Sequence, residues 1–454
     1  MTTAMSTEPS ERLRESLASQ IDASVVRPLP DATPRRVFGA VTFPGKVTAV
    51  IGIRRAGKTT FLHQLRRERL ERGVPQERLP YINFEDERLA GMQIQDLNLL
   101  IEEYYRRFPA TRGRDVVTWC FDEIQVVRGW ERFTRRLLDT EKVEMFVSGS
   151  SAALLSREVA TSMRGRGWEV VIQPFSFEEY LRHNRDAVPE EPSRVVGAQR
   201  SRLERSLLDF LTTGGFPEVQ RLEIAERQRL LADYVDVAML RDVVERHGVS
   251  NVAGLRWLVR HLLGNPAGKF SAERFHAGLK SQGIAISRDT VHQLLGYLED
   301  CFLVRTVWVE ADSERRRMVN PRKAYPVDPG FIPLFDRTGR ANLGHALETV
   351  VMIELARRRW DLTYVRTEEG HEVDFLARYP GRSSQLVQVS ANLDTAATRE
   401  REVRALLAAS SEHPRATLHL ITLTPETARG IPEQISVHSA ADWLLSPGPA
   451  DEQR

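Results

Sequence analysis

The chain has 454 residues, a formal net charge of +2 and two cysteines, Cys120 and Cys301. This length predicts more than one domain, and two distant cysteines exclude a disulfide framework or a thiol-rich zinc site. No apolar run approaches the length that crosses a bilayer, and residues 1–24 lack the apolar centre of a signal peptide. Hydrophobic residues make up 41% and charged residues 28%, so we expect a folded, cytoplasmic protein with no membrane partner.

Strand-like and helix-like runs alternate regularly after a polar segment, residues 1–26, that predicts a flexible tail. Strands of this kind separated by helices indicate an α/β fold in which a parallel sheet is covered on both faces. The predicted strands are Val47–Gly52, Leu79–Phe84, Val116–Phe121, Val143–Ser148 and Glu169–Gln173, and the predicted helices are Thr59–Arg72, Ile94–Phe108, Trp130–Thr140 and Ser151–Met163.

Three further regions follow this core, which we place at residues 27–176. Residues 177–250 are nearly all helical. Residues 251–335 have a helix–helix–strand pattern, and residues 336–446 alternate helices with strands. Residues 447–454 are predicted to be a second tail.

The segment from Gly52 to Thr59 fits the pattern G-x-x-x-x-G-K-[ST] between an apolar strand and a helix. In that context the backbone N–H groups surround phosphates, a lysine reaches the β- and γ-phosphates, and the hydroxyl binds Mg²⁺. Only six of the 64 basic residues are lysine, which makes a chance match rare. We therefore predict ATP and Mg²⁺ as cofactors. The predicted nucleotide-binding residues of this loop are Gly52, Arg55, Ala56, Gly57, Lys58, Thr59 and Thr60, with Thr59 also a metal ligand.

An acidic pair, Asp122 and Glu123, ends the apolar strand that begins at Val116. Asp122 is predicted to hold Mg²⁺ and Glu123 to polarise the attacking water. The next strand ends in serines, of which Ser150 is the first choice and Ser148 the second for a side chain between the γ-phosphate and the acids. The same serines could simply cap the following helix.

Two other segments are candidates for nucleotide chemistry. Arg164 and Arg166 could supply an arginine finger to another subunit, or lie in a solvated loop. Gly215 and Pro217 could pack a turn against the adenine, or merely end a helix.

The sequence resembles the AAA-type ATPases of bacteria and archaea that carry a C-terminal domain of uncharacterised function, from about Arg27 to about Leu407. This resemblance implies a P-loop NTPase core with strand order 5-1-4-3-2, a helical lid, a winged helix and a restriction-endonuclease-like domain. The matching segments are Gly52–Thr60, Asn83–Leu89, Phe121–Gln125, Ser148–Leu155, Met163–Arg166, Pro174–Tyr180 and Gly214–Val219.

The winged helix would place its second helix, capped by Ser287, in a major groove, with a basic hairpin tip on phosphates. The alternative is that this module only packs against neighbouring subunits. The predicted DNA contacts are Arg288, Thr290, Arg315, Arg316, Arg317, Arg322 and Lys323, with His292 a further candidate.

The last domain resembles the PD-(D/E)XK nuclease core through Glu348 and Asp374, but it has Gln388 and Ser390 where that core has Glu and Lys. Because no lysine follows Lys323, we expect this domain not to cut DNA. The favoured function is an Mg²⁺-dependent ATPase that binds or remodels DNA, branched DNA included, as a homo-oligomer such as a hexameric ring. The alternatives are an ATP-dependent switch that assembles with a protein partner in defence or stress signalling, and an ATP-gated nuclease.

Overall fold

The computed structural model describes residues 9–149, 165–336 and 342–448, and the chain divides into two compact units between Ile172 and Gln173. The strands of the first unit are β1 (Val47–Ile51), β2 (Tyr81–Asn83), β3 (Val117–Asp122), β4 (Val143–Gly149) and β5 (Gly167–Val171). Its described helices are α1 (Pro9–Val26), α2 (Lys58–Glu71), α3 (Leu97–Arg107) and α4 (Trp130–Thr140), with 3₁₀ turns at Gln76–Arg78, Glu87–Leu89, Ile94–Asp96, Pro109–Thr111 and Ile124–Val126.

The five strands of the first unit form a parallel sheet in the order β2-β3-β4-β1-β5. This is the predicted order 5-1-4-3-2, and it confirms a P-loop NTPase fold. β1 and β3 are buried along their whole length, which explains their largely apolar sequences. The carboxyl ends of β1, β3 and β4 therefore meet at one edge of the sheet, with β4 between the other two.

The prediction of a flexible tail is wrong for residues 9–26, which form helix α1. Leu17 and Ile21 of this helix are 0% exposed. The Gln20 side chain pairs with the backbone of Asn83 on β2, donating to its carbonyl at 3.3 Å and accepting from its N–H at 3.0 Å. A narrow apolar stripe in a charged sequence is enough to hold the helix against the first unit, because only one of its faces has to be buried.

The second unit contains an eight-stranded mixed sheet. Its strands are β6 (Gly268–Phe270), β7 (Val304–Val309), β8 (Arg322–Pro326), β9 (Asp361–Arg366), β10 (Glu372–Arg378), β11 (Gln385–Ser390), β12 (Thr417–Thr422) and β13 (Ile435–Ser439). Its described helices are α5 (Phe177–Asn184), α6 (Gly197–Thr213), α7 (Ile224–Val237), α8 (Val252–Gly264), α9 (Ala272–Ser281), α10 (Arg288–Asp300), α11 (Glu314–Val319), α12 (Ile332–Phe335), α13 (Leu343–Arg357), α14 (Ala396–Glu412) and α15 (Ala440–Leu445). A π-helix spans Ala238–Glu245, and 3₁₀ turns lie at Pro192–Arg194, Pro217–Val219, Pro329–Phe331 and Pro425–Thr427.

The predicted helix–helix–strand pattern is confirmed by α9, α10 and the antiparallel pair β7–β8. Ser287 caps α10 by accepting from the N–H of Thr290 at 3.0 Å. The connection between β7 and β8 holds the short helix α11 where we expected a bare hairpin tip.

The regions predicted as separate domains, 251–335 and 336–446, share this sheet, whose order is β13-β12-β11-β10-β9-β7-β8-β6. Parallel pairing of β7 with β9, through Trp308 opposite Thr363, joins them. Helix α13 packs on one face with Phe375 and Val387, and helix α14 packs on the other with Leu376 and Leu386. None of the helices described above has both the length and the apolar character needed to cross a membrane.

Candidate functional site

The loop between β1 and α2 has a backbone that two glycines make possible. Gly52 has φ of 145°, and a Cβ there would lie 2.0 Å from the carbonyl oxygen of Ile172. Gly57 has φ of 99° immediately before the first residue of α2. This conformation and the helix start that follows give the loop the form of a phosphate cradle.

The ammonium of Lys58 lies inside this loop. Its Nζ donates to the carbonyl oxygens of Gly52 at 3.0 Å and Ile53 at 3.1 Å, and the residue is 6% exposed. Phosphate oxygens are stronger acceptors for an ammonium than neutral carbonyls. The loop therefore fits a nucleotide triphosphate, and Lys58 is placed to change from loop carbonyls to phosphates.

The Asp122 carboxylate connects the phosphate loop with two neighbouring strands. Its Oδ2 accepts from Thr59 Oγ1 at 2.7 Å and from Tyr81 Oη at 2.7 Å, while its Oδ1 accepts from the Ser148 hydroxyl. Hydroxyl and carboxylate oxygens are the ligands that Mg²⁺ prefers. Thr59 follows β1 and Asp122 ends β3, the two strands on either side of β4. The structure thus brings together the two side chains that were predicted as metal ligands.

Glu123 follows Asp122 in a left-handed conformation with φ of 54°, which is uncommon for a residue with a Cβ. Its N–H donates to Ser148 Oγ at 3.0 Å, and its side chain is bonded to Gln125. Burial raises the pKa of the Glu123 carboxyl, and the nearby Lys58 ammonium opposes that rise. A carboxylate so held beside the phosphate loop can accept a proton from water.

Ser148, the second choice from the sequence, is the serine that contacts the acidic pair. It is 0% exposed and lies on β4, between the strands that carry the phosphate loop and the acids. Ser150, the first choice, lies outside the described residues. Residues two apart on a strand point to the same face, so the strand pattern alone does not decide between the two serines.

Sequence reasoning missed Tyr81 and Arg35. Burial raises the pKa of the Tyr81 hydroxyl well above its usual value, so this hydroxyl remains a donor to Asp122. A guanidinium nitrogen of Arg35 donates to the carbonyl of Ala56 at 2.5 Å, and the Gln64 side chain bonds both backbone groups of Arg35. Tyr81 could have been found from the adjacency of β2 and β3, whereas nothing in the sequence indicates Arg35.

The arginine-finger candidates lie away from this edge of the sheet or outside the described residues. Arg164 is among the residues that the structure does not describe. Arg166 immediately precedes β5, whose first residue pairs with Val47 at the start of β1, and its side chain is ion-paired with Asp139. Arg166 is therefore at the end of the strands opposite the phosphate loop of its own chain.

The backbone of Gly215 is used within the second unit, and its contact with adenine remains a prediction. Its N–H donates to Asp328 Oδ2 at 2.7 Å, its carbonyl accepts from the N–H of Phe175 at 2.7 Å, and a Cβ would lie 2.4 Å from the Phe175 oxygen. A glycine can offer only its backbone, and here the backbone holds the second unit together. Pro217 begins a 3₁₀ turn, and its contact with adenine remains a prediction.

Most of the predicted DNA contacts lie on or near the surface. Arg288, Arg315 and Arg316 are exposed, whereas Thr290, Arg317 and Arg322 are half-buried. The Arg322 guanidinium lies 3.5 Å from the ring centre of Trp308, and Thr290 Oγ1 lies 2.7 Å from Ser287 Oγ. Contact of these six residues with DNA remains a prediction.

Lys323 is the exception, and its assignment as a phosphate contact is wrong. The residue is 3% exposed, and its Nζ lies 2.8 Å from Asp374, 3.0 Å from Glu348 and 3.0 Å from Glu372. Tyr325 Oη also donates to Glu348, at 2.8 Å. We call these five residues the lysine cluster. The three acids raise the pKa of Lys323 despite its burial, so the ammonium remains charged in the interior.

Gln388 and Ser390 make contacts that fit structural roles. Gln388 Oε1 accepts from the N–H of Asp374 at 3.2 Å, and its Nε2 donates to Glu402 at 2.7 Å. Ser390 Oγ donates to the carbonyl of Asn392 at 2.9 Å. Within residues 9–149, 165–336 and 342–448, no group of three or more acidic, histidine or cysteine side chains has the arrangement of a metal site.

Comparison with known proteins gives matches across most of the chain. A family model described as an AAA domain matches residues 44–181, and a domain of unknown function (DUF8612) matches residues 204–339. The chain is 29% identical over 333 residues to an uncharacterized protein of Haemophilus influenzae, covering 73% of this chain and 79% of that protein.

Among solved structures, the chain is similar to the Walker-type ATPase PABY2304 of Pyrococcus abyssi, with 16% identity and a TM-score of 0.37 over 71% of this chain and 95% of that one. The Aeropyrum pernix ORC1 protein in complex with DNA has 13% identity and a TM-score of 0.26, over 72% of this chain and 91% of that one. The chain is 33% identical over 367 residues to uncharacterized protein MJ1544 of Methanocaldococcus jannaschii, covering 80% of this chain and 78% of that protein. It therefore belongs to the same family as that protein, and its first unit is a P-loop ATPase domain of the AAA type.

Proposed function

We propose that this protein hydrolyses Mg²⁺-ATP and uses the reaction to bind or remodel DNA as a homo-oligomer. The observation that carries the proposal is the junction at Asp122, where the phosphate loop, the metal-ligand candidates and Glu123 meet. Bound Mg²⁺ would supply charge stabilisation for the phosphates, with Thr59 and Asp122 holding it.

Each side chain of the junction has a defined task in this proposal. Lys58 binds the β- and γ-phosphates, and Glu123 orients a water molecule and accepts its proton. Ser148 bonds both acids, so it keeps Glu123 in one position relative to the phosphates. Glu123 is half-buried, and a fixed carboxylate acts more strongly there than it would in water.

ATP turnover of matched variants tests this assignment. Lys58→Ala is expected to abolish ATP binding, because the phosphates lose their buried ammonium. Glu123→Gln is expected to bind ATP as wild type does and to reduce turnover by about 10²–10⁴-fold, since the proton acceptor is lost. Wild-type turnover in Glu123→Gln would contradict the role of Glu123.

The proposed DNA contact rests on the exposed arginines of α10 and α11. Arg288 begins α10, and Arg315 and Arg316 lie on α11. Cations exposed in this way can bind phosphates without reading bases. Lys323 of β8 lies beside Glu348, Glu372 and Asp374, so a lysine reaches the acids of the nuclease-like region although none follows it in the sequence. That this region does not cut DNA remains a prediction.

Binding of duplex, single-stranded and junction DNA at low salt tests this part separately. We expect Arg315→Glu combined with Arg316→Glu to weaken duplex binding and reduce its salt dependence, with basal ATP turnover unchanged. The absence of both binding and stimulation by all three DNA forms would contradict the DNA function while leaving ATP hydrolysis intact.

A further inference from the structure

A groove of about 760 Å³ lies in the second unit between α8 and α9. Its lining side chains recur at helical spacing, so one face of each helix forms a wall. A volume of this size falls in the range of small-molecule sites. The residues of α8 that line it are Trp257, Arg260, His261 and Gly264, and those of α9 are Arg274, Phe275, Gly278 and Leu279.

The groove is lined by more positive than negative charge. Arg260, Lys269 and Arg274 line it, against one carboxylate, Asp336, among the described residues. Lys269 is ion-paired with Glu372. Arg260 and Arg274 are exposed to solvent. The groove therefore favours an anion, and guanidinium groups are well suited to phosphate oxygens.

Aromatic rings lie beside these cations. Trp257 is 44% exposed, although a large apolar ring is usually well covered. The ring centres of His261 and Phe275 are 5.2 Å apart. Rings next to arginines are the combination that stacks nucleic-acid bases while holding their phosphates.

Gly278 leaves the α9 wall of the groove without a side chain. It lies inside α9, and a Cβ built on it would meet no atom within 4 Å. Glycine inside a helix costs about 1 kcal/mol relative to alanine, and neither packing nor backbone geometry requires it here. Its effect is to keep the wall of the groove open.

We propose that this groove binds a nucleotide unit, with its base stacked on Trp257 and its phosphate held by Arg260 and Arg274. The nucleotide could belong to a single strand of nucleic acid or be a free nucleotide. The site is separate in residues from the phosphate loop, and the proposal does not depend on ATP hydrolysis.

Binding is best measured on the full chain carrying Lys58→Ala, so that the phosphate loop does not contribute. The probes are a labelled thymidine oligonucleotide, the matching duplex and free thymidine monophosphate, all at low salt. Trp257→Ala and Arg274→Glu are each expected to weaken binding by about tenfold, through lost stacking and lost phosphate contact. Gly278→Ala is expected to weaken binding while raising the melting temperature, because the added methyl enters the groove and favours the helix.

Two control variants match these changes. Gly296→Ala lies inside α10, where a Cβ would also meet no atom within 4 Å, and should stabilise the fold without affecting binding. Arg256→Glu reverses a charge on α8 at an exposed position outside the groove. It should leave thymidine probes bound as before.

A single strand that binds more tightly than the duplex, and that binds weakly to the groove variants, would show that the groove takes a nucleotide of a nucleic-acid strand. Binding of thymidine monophosphate with the same losses supports a free nucleotide. The proposal is overturned if all probes fail to bind, or if Arg274→Glu and Gly278→Ala leave binding unchanged. Equal binding of polyglutamate with the same sensitivity to Trp257→Ala would also overturn it, since the groove would then select acidic peptide.

Discussion

Three hydroxyl groups from three elements converge on the carboxylate of Asp122. Thr59 is the second residue of α2, Tyr81 lies on β2, and Ser148 lies on β4. Hydrogen bonds to a charged acceptor are stronger than those between neutral groups, and they fix the orientation of the carboxylate. Because Thr59 is itself a candidate metal ligand, Tyr81 and Ser148 are the positioning residues that remain when Thr59 turns to a metal.

Tyr81→Phe tests this positioning role. We expect the Mg²⁺ concentration that half-saturates ATP turnover to rise by about tenfold or more, since the loss of an outer hydrogen bond weakens metal sites by about 10–100-fold. Turnover at saturating Mg²⁺ should change much less. Turnover measured across a Mg²⁺ titration separates the two effects.

Tyr104→Phe is the matched control, because Tyr104 Oη donates to the carbonyl of Glu77 at 2.9 Å and does not contact Asp122. Both variants lose one hydroxyl bond, which contributes about 1 kcal/mol to stability. An equal Mg²⁺ dependence of the two variants would show that Tyr81 has only a structural role.

At the scale of single elements, β8 contributes the cation of the lysine cluster. Its residue Lys323 is 3% exposed and meets acids from α13 and β10. Burial and the neighbouring Asp374 raise the pKa of Glu348, and the Lys323 ammonium opposes that rise. The cluster thus joins three elements through one charge.

Lys323→Met is expected to lower the free energy of unfolding by about 3–5 kcal/mol, the usual effect of removing one partner from a buried ion pair. Lys269→Met is the control. Lys269 lies directly opposite Lys323 in the β6–β8 register and pairs with Glu372, but its side chain is 42% exposed. Its loss should cost less than about 1 kcal/mol. Equal losses of unfolding free energy in the two variants, measured by urea unfolding, would contradict the proposal that the buried charge of Lys323 stabilises the fold.

Asp328, before the 3₁₀ turn Pro329–Phe331, makes stability depend on pH. Burial raises the pKa of its carboxyl from 3.8 to about 7, although the N–H groups of Gly215 and Gly330 oppose this. The folded state therefore binds the proton more tightly than the unfolded state. The resulting stabilisation is complete below pH 3.8 and is lost as pH rises to about 7.

Asp328→Asn cannot titrate, so its stability relative to wild type should improve as the pH rises. From pH 5.5 to pH 8 we expect the difference in unfolding free energy to move by about 2 kcal/mol in favour of the variant. Asp236→Asn, at an exposed position of α7, controls for loss of a carboxylate. A constant difference between wild type and Asp328→Asn at both pH values would contradict the raised pKa.

How far the sequence could predict these elements depends on how far apart in the sequence the contacting residues lie. Lys58 and Thr59 were predictable because their spacing reflects a local loop, and Asp122 because it ends an apolar strand. Lys323 was not, since its partners depend on the pairing of β7 with β9, which no local pattern contains. Helix α1 was missed because its buried face is narrow and its composition is that of a polar segment.

At the scale of the whole molecule, the position of Arg166 bears on assembly. It immediately precedes β5, about 20 Å along the strands from the phosphate loop, and its side chain is held by Asp139. An arginine at that end can stabilise the transition state of ATP hydrolysis only in another copy of the chain. The proposed homo-oligomer would then have its active sites between subunits.

Mixing two inactive variants tests this arrangement. Arg166→Ala keeps the phosphate loop intact, and Lys58→Ala keeps Arg166 intact. If Arg166 acts between subunits, each variant alone should turn over ATP slowly, because an arginine finger contributes about 10³–10⁵-fold in rate. The mixture should regain turnover, since some interfaces then combine an intact loop with an intact arginine.

Arg182→Ala, an exposed arginine of α5 paired with Glu178, serves as the control and should retain wild-type turnover alone. Slow turnover by Arg166→Ala that the mixture does not restore would assign Arg166 to the fold of its own subunit.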